Sequence, residues 1–87
     1  MAKDAGAPTL NVIARSPLKL FYQGPAQAVS AANAVGNFDI LPGHADFFSM
    51  LVPGEVIIDT AEEPVSFKIT NGIITVRDDE AMLFVNM

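Results

Sequence analysis

The sequence contains no cysteine and no tryptophan, one histidine, one tyrosine, and five basic residues against ten acidic ones. Without cysteine there is neither a disulfide framework nor a thiolate metal site, which fits a reducing compartment. Lys3, Arg15, Lys19, Lys68 and Arg77 are scattered singly in a chain of net charge −5. No basic stripe exists to neutralise phosphates, so nucleic acid is an unsuitable partner. An anionic lipid surface would repel the chain for the same reason. Long apolar runs are also missing: Pro, Gly, Asn or a charge interrupts every stretch before the ~20 residues of a membrane span. Direct membrane insertion is therefore not expected. Residues Met1–Pro8 lack the apolar centre of a signal peptide and read as a flexible tail ahead of one domain over 9–87.

What is present is apolar. Of 87 residues, 51% are hydrophobic and only 17% charged, too apolar a composition for intrinsic disorder. A chain this short buries roughly 60–70% of its unfolded surface. Its core cannot readily absorb so many apolar side chains, and part of the excess points to a partner.

The pattern reads as short strands and turns. Leu10, Val12 and Ala14 alternate with polar or outward positions, and after Ser16-Pro17 the segment 18–23 sets Leu18, Leu20 and Tyr22 opposite Lys19, Phe21 and Gln23. Gly24-Pro25 is a turn signal. The alanine-rich segment 26–35 has helical propensity, with Pro25 available as a first helical residue. Its strand-like neighbours favour a strand. Residues 55–58 follow Pro53-Gly54, and 65–70 place Val65, Phe67 and Ile69 inward. Asn71-Gly72 is the strongest short hairpin signal in the chain. Ile74 and Val76 alternate in 73–77, Asp78-Asp79-Glu80 turns the chain, and 81–86 forms a last strand. Strands at this spacing predict an all-β sandwich or barrel with a single core.

The last strand is apolar on both faces. Ala81, Leu83 and Val85 point one way, Met82 and Phe84 the other. Either both faces are covered within the domain, or Met82 and Phe84 belong to a docking face of the kind that interface cores use.

Catalytic chemistry is nearly absent. His44 is the one histidine, and its distances in sequence from Asp39 and Asp46 match no metal-ligand spacing. It reads as a turn histidine. No glycine-rich phosphate loop occurs, and no serine sits in an elbow motif. Glu62-Glu63 and Asp78-Asp79-Glu80 read as solvated turn charges. No catalytic residue, cofactor site or metal site is expected.

The informative segment is 36–54, Gly36-Asn37-Phe38-Asp39-Ile40-Leu41-Pro42-Gly43-His44-Ala45 followed by Leu51-Val52-Pro53-Gly54. Its two Pro-Gly pairs predict two type II bends, the first leaving His44 on an exposed loop tip. Together with Ser16-Pro17, Tyr22-Gln23-Gly24, Asn71-Gly72-Ile73 and Val76, in order across residues 10–85, this stretch resembles the epsilon subunit of the rotary F-type ATP synthase. The likeness is to that family's N-terminal domain, a flattened β-sandwich of about ten short, mostly antiparallel strands.

The resemblance implies a non-catalytic central-stalk component, held between the gamma subunit and the membrane rotor ring. It implies a peripheral place, through protein contacts, on the cytoplasmic side of an energy-transducing membrane. The ring-facing loop maps to Asn37, Asp39, Leu41, Pro42, Gly43 and His44. Asn37 stands where the family carries Glu, and Asp39, on the same strand face, is the available acid. The gamma-facing contact is expected to include Met82 and Phe84, with Phe47 and Phe48, of which at least one is core because neighbours on a strand point oppositely. Ala32-Asn33 replaces a Pro-Gly of the family. The sequence stops at Met87, where family members continue into a two-helix hairpin, so the helical brake and its nucleotide site are not carried over. A stand-alone β-sandwich binding or adaptor module is the alternative. A sugar platform is disfavoured by the lack of Trp and the single Tyr22, and a hydrolase would have to be built on His44.

Overall fold

A computed structural model describes residues 9–87; the expected tail 1–8 lies outside the described residues. The described residues form nine strands: β1 Leu10–Arg15, β2 Leu20–Ala26, β3 Ala28–Asn33, β4 Gly36–Ile40, β5 Phe47–Leu51, β6 Gly54–Asp59, β7 Val65–Ile69, β8 Asn71–Arg77 and β9 Glu80–Asn86. They make a five-stranded sheet in the order β2-β1-β9-β8-β5 and a four-stranded sheet in the order β4-β3-β6-β7. All pairs are antiparallel except β1 with β9. The expected sandwich is therefore the fold, and the alanine-rich segment 26–35 holds the end of β2 at Ala26, a bend at Gln27, β3, and a turn at Ala34-Val35.

Period-two alternation explains the layers. Leu10, Val12 and Ala14 of β1, Ile74 and Val76 of β8, and Ala81, Leu83 and Val85 of β9 all project to one side of the larger sheet and are buried. Val29, Ile40, Val56, Ile58 and Ile69 meet them from the smaller sheet. No polar side chain is buried among the described residues, so the interior carries no desolvation penalty. The two lateral sides are closed by aromatic pairs. Phe21 of β2 stacks on Phe67 of β7 with centroids 4.5 Å apart, and Phe38 of β4 meets Phe47 of β5 at 5.3 Å.

Three turn readings and one alternation are corrected. Gly24-Pro25 is not a turn but lies within β2, where Pro25 pairs with Asn11. β2 is an edge strand, and a proline there can turn its missing N–H outward. A register shift between Ala14 and Arg15 also breaks the expected alternation of 18–23. Phe21 therefore packs inward, while Leu18 sits in the connecting loop, 97% exposed. Pro53-Gly54 is not a type II bend: Gly54 is extended, with φ 159°, and already pairs with Ile69.

Asn71-Gly72 is not a hairpin either. Both residues belong to β8 and pair with Asn86 and Val85, while β7 belongs to the other sheet. The chain crosses between sheets at Thr70, whose N–H donates to the Asn86 carbonyl at 2.8 Å. Gly72 is required there by close approach. A Cβ at that position would stand 2.7 Å from the Phe84 carbonyl oxygen and 3.0 Å from Val85 Cγ1. Gly72→Ala is expected to destabilise the fold by about 1–3 kcal/mol through this overlap, measured by urea unfolding. An unchanged midpoint would contradict the β8–β9 register.

Candidate functional site

Two surfaces gather the residues expected to bind. The first is the outer face of the larger sheet. Cross-strand pairing aligns Arg15, Phe84, Ile73 and Met50 in one row, and Ile13, Met82, Thr75 and Phe48 in the next. Residues directly opposite on paired strands share a face. Phe48 is 65% exposed, Met50 69%, Met82 43% and Phe84 51%. These side chains form one continuous apolar patch across β5, β8 and β9. A shallow depression of about 360 Å³ adjoins the patch, bordered by Met50, Ile73 and Phe84.

Phe47 does not join this patch. It packs against the buried core from the inner face, with Phe38 on one side and the His44 ring edge-on at 5.5 Å. The two phenylalanines are thus divided, Phe47 inward and Phe48 outward. Sequence reasoning missed Met50 and Ile73. The signal was available, since 47–51 and 73–77 carry apolar residues on both alternation faces just as 81–86 does.

The second surface lies where β4 leaves the smaller sheet. Asn37 and Asp39 project from its outer face and are exposed. Asp39 Oδ1 accepts the Ser30 hydroxyl at 2.7 Å. Beyond Ile40 the chain makes the expected type II turn: the His44 N–H donates to the Leu41 carbonyl at 3.1 Å, and Gly43 has φ 82°. Leu41 is 55% exposed at its start.

His44 is not on an exposed tip. It is half-buried, folded back over Phe47, with Nδ1 2.8 Å from the Ala45 carbonyl oxygen. A carbonyl can only accept, so Nδ1 carries the proton and Nε2 is left for an outside partner. No group of three or more His, Cys, Asp or Glu residues that could hold a metal ion occurs among the described residues.

A cleft of about 550 Å³ lies on the other lateral side, lined by Tyr22, Pro25, Thr60 and Glu62 among others. The Tyr22 hydroxyl donates to the Pro25 carbonyl. Partial burial, and secondarily the Glu62 charge, push the Tyr22 phenol above its ordinary value.

The comparisons with known proteins fit this arrangement. The family model of the ATP synthase delta/epsilon chain β-sandwich domain matches residues 9–87. The chain belongs to that family. Among relatives in the delta/epsilon family, an ATP synthase epsilon chain of Ruthia magnifica is 34% identical over 76 residues, covering 87% of this chain and 55% of the relative. The epsilon chain of Chlorobaculum tepidum is 34% identical over 86 residues, covering 95% of this chain and 93% of its own length. The chain thus spans about half the length of several epsilon relatives and nearly all of a short one.

Two solved structures share the fold. One is a chain of the Euglena gracilis mitochondrial ATP synthase, in an OSCP/F1/c-ring assembly, with TM-score 0.83 and 17% identity over 91% of this chain and 51% of that one. The other belongs to the central stalk/c-ring of the Tetrahymena thermophila mitochondrial ATP synthase, with TM-score 0.80 and 21% identity over 90% and 63%. No helix among the described residues is long and apolar enough to cross a membrane.

The opposed fates of Phe47 and Phe48 are measurable. Phe47→Ala should cost about 2 kcal/mol of stability, because it removes packing against the core. Phe48→Ala should stay within about 0.5 kcal/mol of the parent. Tyr22 makes a pH prediction. Its folded value lies above the unfolded one of about 10, so its contribution is full below that pH and is lost as pH rises through the folded value. The stability of Tyr22→Phe should fall less steeply than that of the parent above about pH 10 in denaturant titrations; parallel curves would contradict the shift.

Proposed function

We propose that the chain is a non-catalytic central-stalk component of a rotary proton-translocating ATP synthase, joining the gamma subunit to the membrane rotor ring. The observation that carries this reading is the apolar patch of Phe48, Met50, Ile73, Met82 and Phe84 on one sheet face. Five large exposed apolar side chains in adjoining rows are a docking surface rather than scattered surface residues. Epsilon-chain relatives supply the family, and structural neighbours from stalk and ring assemblies supply the setting.

On this reading the patch faces gamma, with Met82, Phe84 and Phe48 as anchors and Phe47 supporting them from within. Asn37, Asp39 and the Leu41–His44 turn face the ring. Asn37 can only hydrogen-bond, so attraction to basic loop residues falls to Asp39, whose second carboxylate oxygen is not engaged by Ser30. A closed sandwich with a dry aliphatic interior resists shear, which suits transmission of torque between shaft and ring. The chain then lies peripherally on the cytoplasmic side of an energy-transducing membrane, held through protein contacts.

The test is co-purification with gamma and the rotor ring of the source organism. Met82→Asp combined with Phe84→Asp should weaken gamma binding at least about tenfold, as loss of interface anchors does, with the unfolding midpoint little changed. Wild-type protein that neither co-purifies with these subunits nor shifts gamma in native gels at micromolar concentration would return the chain to a stand-alone β-sandwich module.

A further inference from the structure

The β8–β9 hairpin closes through a two-residue turn, Asp78-Asp79, between the paired residues Arg77 and Glu80. Both turn residues have positive φ, 51° and 60°, as a type I′ turn demands. Asparagine or glycine meets that demand at least cost, and aspartate meets it with its short polar side chain. Asp79 also makes two contacts outside the hairpin. Its carbonyl accepts the Asn11 N–H at 2.8 Å, tying the tip to the start of β1. Its carboxylate Oδ1 accepts the Gly43 N–H at 2.7 Å, across 36 positions of sequence.

That amide is the informative one. The Pro42–Gly43 peptide is the central unit of the Leu41–His44 turn, and type I and type II turns differ by a half-rotation of this unit. Its N–H points toward Asp79 in the type II form and away from it in the type I form. A carboxylate fixed on one side therefore favours type II and directs the Pro42 carbonyl to the opposite side.

We infer that Asp79 is a positioning residue for the ring-facing turn, holding the Pro42–Gly43 peptide in one orientation before any partner arrives. The inference rests on the ring-facing assignment made above for its functional meaning, although the clamp itself is internal to the chain. A turn held in its docking orientation does not lose the fraction of binding that a flipping peptide would lose.

Two substitutions separate the clamp from the hairpin's stability. Asp79→Gly keeps positive φ without steric cost but removes the acceptor. Asp79→Asn tolerates the same backbone and keeps an amide oxygen to accept the Gly43 N–H. By amide hydrogen exchange on the full chain, Asp79→Gly should lower Gly43 protection roughly fivefold, the weight of one exposed hydrogen bond. Its unfolding midpoint should be equal to the parent's or higher, and Asp79→Asn should retain the protection.

Affinity for the isolated rotor ring should fall with Asp79→Gly and recover with Asp79→Asn, while gamma affinity stays constant. Unchanged Gly43 protection in Asp79→Gly, or equal loss in both variants, overturns the clamp. Lost protection with unchanged ring affinity overturns its role in docking. Wild-type chain that fails to bind the ring overturns the ring-facing assignment, while the exchange measurement still decides the clamp.

Discussion

At their centre the two inner sheet faces meet through aliphatic side chains, with aromatic pairs closing the sides, and every other feature of the molecule is arranged around that contact. Leu10, Val12, Ile74 and Leu83 from one sheet and Val29, Ile40 and Ile58 from the other are fully buried. Each is worth roughly 1.5–3 kcal/mol in removal from water. Because the layer contains no polar side chain, nothing inside it needs a hydrogen-bond partner. The fold can leave its polar connections at the ends and its aromatic rings at the lateral sides. Both candidate surfaces depend on this. The apolar patch is the back of the larger sheet, and the Leu41–His44 turn is the strap that passes from one sheet to the other.

The strand segments were legible because side-chain alternation is a local property of an extended chain. Val65, Phe67 and Ile69, or Leu10, Val12 and Ala14, announce an inner face without reference to any neighbour. The turns were less legible. Gly24-Pro25 and Asn71-Gly72 have turn chemistry, yet both lie in strands. In the first case an edge position tolerates proline. In the second, β9 passes so close that only glycine fits, and that proximity belongs to residues 84 and 85, not to the sequence around 72. Local signals for glycine cannot separate a need for positive φ from a need for space.

The candidate site shows the same division. Leu41-Pro42-Gly43-His44 was readable as a type II turn because its residues specify it. His44 was expected at an exposed tip, and the attraction of its ring to Phe47 draws it back against the sandwich. The bond between Asp79 and Gly43 had no signal in the sequence, since neither residue is unusual in its own surroundings. The patch was half visible. Met82 and Phe84 stood out because their strand lacks a polar face, whereas Met50 and Ile73 become partners only once β5, β8 and β9 are set side by side. An acidic chain with half its residues apolar is then no contradiction: the carboxylates concentrate in turns and on the smaller sheet, and the surplus hydrocarbon on the back of the larger one.

The parallel pairing of β1 with β9 bears on how the protein is made. Asn11 pairs with Glu80 and Arg15 with Phe84, so the first strand of the domain lies beside the last, at the centre of the larger sheet. A chain emerging from the ribosome carries β1 unpaired on that side until β9 has appeared. Strands β3, β4, β6 and β7 can assemble earlier, because their partners are close in sequence. The larger sheet can close only as a late event with a long loop to pay for. Until then, Leu10, Val12 and Ala14 lack the β9 residues that flank them in the larger sheet. Synthesis thus carries an interval in which β1 lacks its central neighbour, the kind of open strand edge that makes folding intermediates prone to association.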